Sequence, residues 1–283
     1  MPTEGVEMMA LNRPPPVLAI PLDKIRPHEQ SDRKLLTALI KSLEGDGVLR
    51  DPVLVTEGDW MLLDGTHRYW ALREMGCQSI PVCTFDYSSE EIKVGCWYRC
   101  LDFCDLSPSF DGIRSEIVPR ETALAAVSER SALLSVVCGR TARLYCSSPF
   151  DIHRSYRLLS EFEERLRKEG KVLSFSTEED SVGRLLAGEI GAIVAPPPIL
   201  KAEARAAASS GDLFPIKSTR HVIPYRPIGI DLPLEWLYLD PDSANRKINE
   251  KLRNAKFGIA KKGSVLRGRR YEEEVYIYDF TKP

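Results

Sequence analysis

Hydrophobic and polar positions along the first third of the chain predict short strands that alternate with helices. Four apolar runs have the length of buried strands, and they cover residues 17–20, 52–56, 60–63 and 79–85. Two segments between them repeat apolar residues at helical spacing. One begins at a capping Ser31 or Asp32, the other begins at Thr66, and glycines follow both. This alternation predicts a small α/β domain over residues 17–105.

The rest of the chain shows the same mixture of patterns. The spacing predicts strands over residues 143–146, 171–175 and 191–195, and helices over residues 121–135, 155–168 and 177–186. The last of these helices begins with a Thr-x-x-Asp capping pattern at Thr177. A further alanine-rich helix follows Pro198 and ends near Ser209. We therefore expect a second α/β domain over residues 106–239, a C-terminal extension over residues 240–283, and an α/β (α+β) fold overall.

Composition is that of an ordinary globular protein. Of the 283 residues, 43% are hydrophobic and 28% are charged, and the net charge is −2. A charge so close to neutral gives no general attraction to nucleic acid or to a membrane. No apolar run approaches the roughly 18 residues of a transmembrane helix, and the first residues do not resemble a secretion signal. These features predict a cytoplasmic protein that has no membrane partner.

The seven cysteines are scattered and odd in number. The spacing of Cys96, Cys100 and Cys104 would place three thiols on one face of a helix, where they could bind a metal or haem. No matching CxxC pair accompanies them, and cysteine is often simply a small buried residue. We therefore expect reduced, buried thiols rather than a metal centre.

The predicted C-terminal extension is strongly basic. From Arg246 to Arg270 the chain has ten lysine and arginine residues, and Glu250 is the one acidic residue among them. A basic run of this kind can contact nucleic acid or an acidic partner. Because the rest of the chain is neutral, we expect a solvated or subunit-contacting tail instead, which leaves a homodimer open and does not require nucleic acid.

A candidate site lies where the third apolar run meets the second helix. The strand over residues 60–63 ends at Asp64-Gly65, and the helix begins at Thr66. A strand, a glycine turn and a helix start gather unpaired backbone N–H groups at the positive end of the helix dipole. This arrangement is suited to binding an anion.

Polar side chains flank this turn. His67 and Arg68 fall in the first helical turn, and the planar guanidinium of Arg68 suits a phosphate. Asp64 could bind a metal ion or orient a nucleophile. The simpler alternative is a structural turn in which Thr66 caps the helix and Arg68 forms a surface ion pair.

Three other positions carry candidate chemistry. Glu29, between His28 and Gln30, could accept a proton from a substrate hydroxyl, or it could be a solvated loop residue. Trp97 could line a ligand site or lie in the core. The cationic stretch from Lys217 to His221 could bind a carboxylate or phosphate, or it could be a surface loop.

Taken together, these segments resemble a known family. The motifs are Pro27-His28-Glu29-Gln30, Asp64-Gly65-Thr66-His67-Arg68 and Ser218-Thr219-Arg220-His221-Val222-Ile223-Pro224. In this order they resemble the motifs of the ADP-dependent free-serine kinases in the ParB/sulfiredoxin superfamily, which also share the Trp97-Tyr98 pair. The similarity spans roughly residues 17–239. It implies a ParB/sulfiredoxin-like nucleotide-binding domain at the N-terminus and an amino-acid site to which the second domain contributes.

The resemblance also implies a reaction and a role for each matched residue. A phosphoryl group would pass from ADP or ATP to the hydroxyl of free L-serine, with Mg²⁺ present, and give O-phospho-L-serine. Glu29 would be the catalytic base, and Asp64 would assist it or place the Mg²⁺ ion. The nucleotide phosphates would be bound by Gly65, Thr66, His67 and Arg68. The amino acid would be enclosed by Trp97, Thr219, Arg220 and His221, with Arg220 facing its carboxylate.

One departure leaves alternatives open. Thr66 stands where the family motif D-G-H-H-R has its first histidine, so the choice between ADP and ATP stays open. Sulfiredoxins carry a catalytic cysteine at this place, and its absence here argues against sulfinic-acid repair. A kinase of threonine or a related hydroxy amino acid, a ParB-like nucleotide-dependent DNA-binding regulator, and regulation by haem remain alternatives.

Overall fold

We analysed a computed structural model that describes residues 6–7, 14–253 and 255–280. The chain forms two compact units. The first contains the described residues up to Lys93, then Arg205–Leu213, and those from His221 onward. The second contains Val94–Ala204 and Phe214–Arg220. The segments predicted from the sequence do not coincide with these units, because residues 205–213 and 221–280 fold with the N-terminal part.

Helices and strands alternate along the described residues. The helices are α1 Arg33–Asp46, α2 Thr66–Glu74, α3 Arg120–Ser128, α4 Ile152–Lys168, α5 Glu178–Leu186, α6 Lys201–Ser210 and α7 Pro241–Arg253. The first strands are β1 Val6–Glu7, β2 Leu18–Pro21, β3 Val48–Leu49, β4 Val53–Thr56, β5 Leu62–Asp64, β6 Ser79–Phe85, β7 Lys93–Gly95, β8 Tyr98–Leu101, β9 Arg114–Pro119 and β10 Leu134–Cys138. The others are β11 Thr141–Cys146, β12 Ser174–Ser176, β13 Ala192–Ala195, β14 Arg220–Val222, β15 Arg226–Ile228, β16 Leu232–Pro233, β17 Lys256–Ala260, β18 Val265–Leu266, β19 Arg269–Arg270 and β20 Val275–Asp279. The predicted α/β class is confirmed.

The first unit is built on a four-stranded sheet in the order β2-β6-β4-β5. Strands β4 and β6 run parallel, and the other neighbours run antiparallel. Helix α1 begins where the Asp32 side chain accepts hydrogen bonds from the backbone of Lys34 and Leu35, both at 2.9 Å, and it ends at Gly47 in the left-handed conformation. The core between the sheet and the two N-terminal helices includes Leu36, Leu43, Val53, Leu62, Tyr69, Leu72, Ile80 and Val82.

The C-terminal segment folds with this first unit and is not a separate extension. A second four-stranded sheet has the order β1-β17-β20-β15, and β15 and β20 run parallel within it. It packs its own small core of Ile228, Ala260, Tyr271 and Val275. Apolar positions recur between the basic residues, and it is these that fold the segment; its basic residues lie mostly at the surface.

The second unit contains an antiparallel six-stranded sheet in the order β12-β8-β13-β10-β11-β9. Its core joins the sheet to α3 and α5 through Ala123, Val127, Val137, Leu185 and Ile193. Helix α5 begins as its sequence predicts, since the Thr177 hydroxyl accepts a hydrogen bond from the backbone of Asp180.

Two sequence predictions in this unit are wrong. The predicted helix over residues 121–135 is shorter, because α3 ends at Ser128, Arg130 takes a positive φ of 62°, and the apolar run from Leu134 becomes the strand β10. That run pairs on both sides, with β11 and β13, so tertiary pairing overrides the helical spacing. The strand predicted over residues 171–175 lies instead at Ser174–Ser176.

The cysteine spacing does not form a helical face. Cys100 lies in β8, Cys96 precedes that strand and Cys104 follows it. Cys104 forms a disulfide with Cys138, with a Cα–Cα distance of 5.6 Å, so the expectation of reduced thiols fails for this pair. Among the described residues, no group of three His, Cys, Asp or Glu side chains is placed to hold a metal ion. No described helix has the length and apolar character needed to cross a membrane.

The link between α7 and the first sheet can be tested at one side chain. Asn245 accepts a hydrogen bond from the backbone of Ala19 at 2.7 Å and donates one to the carbonyl of the same residue at 2.8 Å. Ala19 lies in β2, an edge strand whose outward groups would otherwise lack partners. We predict that Asn245→Ala lowers the free energy of unfolding by about 1–3 kcal/mol, measured by chemical denaturation.

The matched control is Asn249→Ala, at an exposed position of the same helix. Equal stability losses for the two variants would show that the paired hydrogen bonds to Ala19 do not anchor α7.

Candidate active site

The glycine turn, residues Asp64–Arg68, connects β5 to α2 in the first unit. Gly65 has a φ of 101°, in the left-handed region that glycine tolerates best. A Cβ atom there would lie 2.7 Å from the Val53 side chain and 2.8 Å from Nη2 of Arg68. Both the backbone conformation and the close approach therefore require glycine at this position.

Helix α2 starts without a side-chain cap. Gly65 occupies the N-cap position and Thr66 is the first helical residue, so the alternative in which Thr66 caps the helix is wrong. The first backbone N–H groups of a helix have no backbone partner within it, and Gly65 at the N-cap has no side chain that could accept from them. The start of α2 therefore keeps the properties of an anion site that the sequence predicted.

The Asp64 carboxylate is shared by two arginines. Its Oδ2 atom accepts hydrogen bonds from Nη2 of Arg68 at 3.0 Å and from Nη1 of Arg226 at 3.1 Å. The Arg68 side chain is 22% exposed, whereas that of Arg226 is 3% exposed. Arg68 can therefore reach a ligand, and Arg226 is a buried support for the turn.

Arg226 makes further contacts that fix it in place. Its Nε atom lies 2.8 Å from a carboxylate oxygen of Glu273, and its Nη2 donates to the carbonyl of His221 at 3.1 Å. Asp51 lies on the other side of the turn, where it accepts from the backbone of Gly229 at 2.8 Å. The turn is thus tied to the C-terminal sheet by charge-assisted hydrogen bonds.

Two buried histidines lie beside Glu29 in the same unit. The His28 and His221 rings pack edge to face with centroids 5.4 Å apart, and the Tyr87 hydroxyl lies 2.9 Å from Nε2 of His221. Glu29 itself is only 8% exposed. A carboxylate in this protected place is a candidate for a general base.

Burial controls the charge of both histidines. It lowers the pKa of His28, and the neighbouring Glu29 carboxylate opposes that shift. Burial lowers the pKa of His221 well below its ordinary value; His28 and Arg226 lower it further, while Asp64 raises it. Both imidazoles are therefore neutral at pH 7 and act as hydrogen-bonding groups rather than as cations.

The second unit holds the other predicted site residues. Nε1 of Trp97 donates to the carbonyl of Thr219 at 3.1 Å. Nη2 of Arg220 donates to Oε2 of Glu178 at 2.9 Å, and Oε1 of the same carboxylate accepts from the backbone of Cys96 at 2.7 Å. Burial, followed by the Glu178 charge, raises the pKa of the Cys96 thiol well above its ordinary value, so Cys96 is not a nucleophile.

Arg99 joins the two segments that carry these residues. Its side chain is fully buried, and its Nε atom lies 2.6 Å from a carboxylate oxygen of Glu163 on α4. Nη1 donates to the carbonyls of Trp97 at 2.6 Å and of Lys217 at 3.1 Å, and Nη2 donates to that of Ile216 at 3.4 Å. One guanidinium therefore holds Trp97 and the segment leading to Arg220 in a fixed relation.

Each unit thus brings together part of the predicted set. The first contains Glu29, the glycine turn and His221, and the second contains Trp97, Thr219 and Arg220. Sequence analysis missed the supporting residues, which are Asp51, Arg99, Glu163, Glu178, Arg226 and Glu273. Glu178 directly follows the recognised cap Thr177, and Arg226 follows the recognised basic stretch, but no pattern marks their partners.

The turn does not form a magnesium site by itself. Oδ2 of Asp64 already accepts from two guanidinium groups, whose charges oppose a nearby dication. Mg²⁺ usually takes one or two protein carboxylates and completes its shell with water and phosphate oxygens. The described residues therefore do not fit an ion held by the protein alone.

Comparisons with known proteins give one consistent result. No protein-family profile matches the chain. The ADP-dependent L-serine kinase of Thermococcus kodakarensis is 30% identical over 231 residues, which are 77% of this chain and 92% of that enzyme. The ATP-dependent L-serine kinase of Staphylothermus marinus is 26% identical over 78% of this chain and 91% of that enzyme.

A solved structure gives the same result for the fold. The structure of a free serine kinase in complex with AMP has a TM-score of 0.66 at 26% identity, over 82% of this chain and 98% of that one. The resemblance to the free-serine kinases of the ParB/sulfiredoxin superfamily, inferred from three motifs, is confirmed.

The requirement for glycine at the turn is testable. We predict that Gly65→Ala destabilises the chain more than Gly58→Ala, because both positions have positive φ but only Gly65 lacks space for a Cβ atom. The cost of placing alanine at a positive φ, roughly 1–2 kcal/mol, is common to both variants. The difference between their free energies of unfolding therefore measures the close contact with Val53 and Arg68. A Gly58 variant that loses as much stability as the Gly65 variant would contradict this interpretation.

The buried histidines predict a pH dependence of stability. Because their pKa values are lowered in the folded state, the unfolded chain binds more protons as the pH falls below the ordinary histidine pKa of about 6.5. Their contribution to stability is therefore complete above that pH and decreases below it, by at most about 1.4 kcal/mol per histidine per pH unit.

We predict that the melting temperature falls between pH 7.5 and pH 5.5, and that the fall is smaller in His28→Gln. His153→Gln, at a partly exposed position, controls for loss of one imidazole. A fall of equal size in wild type and His28→Gln would contradict the assignment.

Proposed function

Because this chain belongs to the family of ADP- or ATP-dependent L-serine kinases, we propose that it transfers a phosphoryl group from ADP or ATP to the hydroxyl of free L-serine and releases O-phospho-L-serine. The observation that carries the proposal is the glycine turn. It combines a helix start with glycine at the N-cap, a backbone conformation and close approach that both require this glycine, and the partly exposed guanidinium of Arg68. Phosphates bind at such helix starts.

In this proposal the nucleotide phosphates lie at the turn. Backbone N–H groups at Gly65, Thr66 and His67 face the phosphate oxygens, and Arg68 adds a charge that can move from Asp64 to the ligand. Phosphoryl transfer depends mainly on positioning and on neutralising charge, and these groups supply both. Mg²⁺ would neutralise charge on the nucleotide phosphates, and Asp64 would be the residue to add a carboxylate to an ion held mainly by the nucleotide.

Glu29 is the proposed base. During transfer, the serine oxygen forms a bond to the terminal phosphorus, the bond from that phosphorus to its bridging oxygen breaks, and the hydroxyl proton passes to Glu29. The burial of this carboxylate and its proximity to the neutral His28 support the assignment. Neutral histidines do not compete as cations for the carboxylate that must accept the proton.

The residues proposed to bind the amino-acid substrate are Trp97, Thr219, Arg220 and His221. The guanidinium of Arg220 is suited to the α-carboxylate, because its planar donors match two carboxylate oxygens. The Trp97 ring is fixed through Nε1, so it can offer a rigid apolar surface. The difference between serine and threonine is one methyl group, worth about 1–3 kcal/mol in a pocket, so serine is the proposed but not the exclusive acceptor.

The activity is tested by phosphorus NMR of the purified protein with Mg²⁺, L-serine and either ADP or ATP. We expect a phosphoserine signal, together with AMP from ADP or ADP from ATP, so that one spectrum identifies both the product and the donor. L-threonine in place of L-serine measures acceptor selectivity. Absence of phosphoserine with both donors would refute the proposed function.

The base is tested by Glu29→Gln, which keeps the shape of the side chain and removes its proton-accepting charge. We expect kcat to fall by about 10²–10⁴-fold, the range for loss of a general base, with the affinity for nucleotide unchanged. Glu44→Gln, at an exposed position of α1, is the control. A Glu29→Gln rate within threefold of wild type would exclude Glu29 as the base.

A further inference from the structure

We propose that Glu178 and Arg220 form a paired recognition site for the two charges of a free amino acid, in which Glu178 binds the α-ammonium group and Arg220 binds the α-carboxylate. The inference rests on the proposed function, which it deepens by naming the group that selects amino acids over other hydroxy acids. Neither the sequence motifs nor the comparisons assign a role to Glu178.

Glu178 is held in a fixed position at the start of α5. Its Oε1 atom accepts from the backbone of Cys96 at 2.7 Å, and its Oε2 atom accepts from Nη2 of Arg220 at 2.9 Å. A carboxylate in the first turn of a helix interacts favourably with the helix dipole. The acid is therefore placed as a negative group next to the residue proposed to bind the carboxylate.

Gly95 shows that this arrangement is closely packed. A Cβ atom at Gly95 would lie 2.7 Å from Oε1 of Glu178 and 2.9 Å from Nη2 of Arg220. Any larger residue would displace one or both charged groups. The backbone of β7 thus approaches the pair closely, which is a common role of glycine in a ligand site.

Both side chains keep access to solvent and further bonding capacity. The Glu178 side chain is 33% exposed and that of Arg220 is 17% exposed. A carboxylate has about four acceptor positions and a guanidinium has five N–H donors, so the contact between them does not use up either group. A small zwitterion can therefore bind to both without separating them.

The segments that carry the pair are also fixed. Trp97 donates to the carbonyl of Thr219, directly before Arg220, and Arg99 binds the carbonyls of Trp97 and Lys217. Because these contacts set the backbone directly before Arg220, and the backbone N–H of Cys96 holds Glu178, the pair is pre-organised and loses little conformational entropy when a ligand binds. Pre-organised, oppositely charged groups are what an α-amino acid requires.

The chemistry predicts a specific selectivity. Glycerate has the hydroxymethyl group and the carboxylate of serine but carries a hydroxyl in place of the ammonium group. N-acetyl-L-serine keeps the skeleton but has a neutral, bulkier amide. Both analogues lack the ammonium group that would bind the Glu178 carboxylate. A site built to bind a polar group of its ligand discriminates strongly against ligands without that group.

The test compares Glu178→Gln with wild type and with Glu179→Gln, an exposed neighbour in the same helical turn that serves as the matched control. For Glu178→Gln we expect the KM for L-serine to rise at least tenfold, with kcat within threefold and the dissociation constant for ADP unchanged. The ratio of kcat/KM for L-serine over glycerate should fall at least tenfold. A merely structural role would not change this ratio.

An unchanged serine-to-glycerate ratio in a folded Glu178→Gln protein would overturn the proposal. If the melting temperature shows that this variant does not fold, the test is made with wild type. Equal kcat/KM values for L-serine, glycerate and N-acetyl-L-serine would overturn the proposal, and at least tenfold preference for L-serine would support it.

A protein that lacks kinase activity can still be tested, because calorimetry measures the binding of L-serine and glycerate to wild type and Glu178→Gln without turnover. The failure of the proposed function is therefore distinguishable from the failure of the proposed recognition pair. Selective binding of L-serine that Glu178→Gln abolishes supports the pair even without phosphoserine formation. Unchanged selectivity for L-serine over glycerate in Glu178→Gln would reject the proposal. Absence of L-serine binding to wild type would also reject it.

Discussion

The carboxylate of Asp64 connects the two halves of the first unit, and the rest of the site depends on it. One oxygen accepts from Arg68 at 3.0 Å, on the helix that starts at the glycine turn, and from Arg226 at 3.1 Å, on the C-terminal sheet. Because the Arg226 side chain is only 3% exposed, removing its carboxylate partner would leave a buried charge uncompensated, which costs much more than the pair contributes in net terms. The C-terminal segment is therefore part of the site's framework.

Charge balance around this carboxylate explains how the turn can still bind an anion. Arg226 is almost fully buried and is neutralised by both Asp64 and Glu273. Arg68 is more exposed and lies in the first turn of a helix whose N-cap is glycine. A phosphate can therefore draw Arg68 towards itself while Arg226 keeps Asp64 in place. The second unit repeats this division, with Arg99 as the buried support and the pair of Glu178 and Arg220 as the accessible charges.

The sequence predicted best where local chemistry determines structure. The glycine turn, the cap at Asp32 and the cap at Thr177 were each marked by a residue type whose physical role is local. Predictions from the sequence failed where long-range strand pairing determines the secondary structure. The strand from Leu134 pairs on both sides with other strands, and the spacing of its apolar residues does not reveal this pairing. The C-terminal segment was misjudged because its basic residues dominate its composition, although its few apolar residues fold it.

The same distinction applies to the site. Residues in contiguous motifs, such as Glu29 and Asp64 to Arg68, were selected from sequence, whereas Arg226 and Glu178 gain their meaning only from partners far along the chain. Charged residues are common, and sequence alone does not show which are buried or paired. Their roles follow from contacts, such as the 2.9 Å between Glu178 and Arg220.

The central claim, that the glycine turn binds the nucleotide phosphates, is tested most directly by calorimetric titration of ADP into wild type, Arg68→Gln and the control Arg73→Gln, which changes an exposed residue of the same helix. Loss of a hydrogen bond to a charged group costs about 1.5–3 kcal/mol, so we predict that Arg68→Gln weakens ADP binding roughly 10- to 150-fold and that the control does not. Equal ADP affinity in wild type and in folded Arg68→Gln would contradict the account.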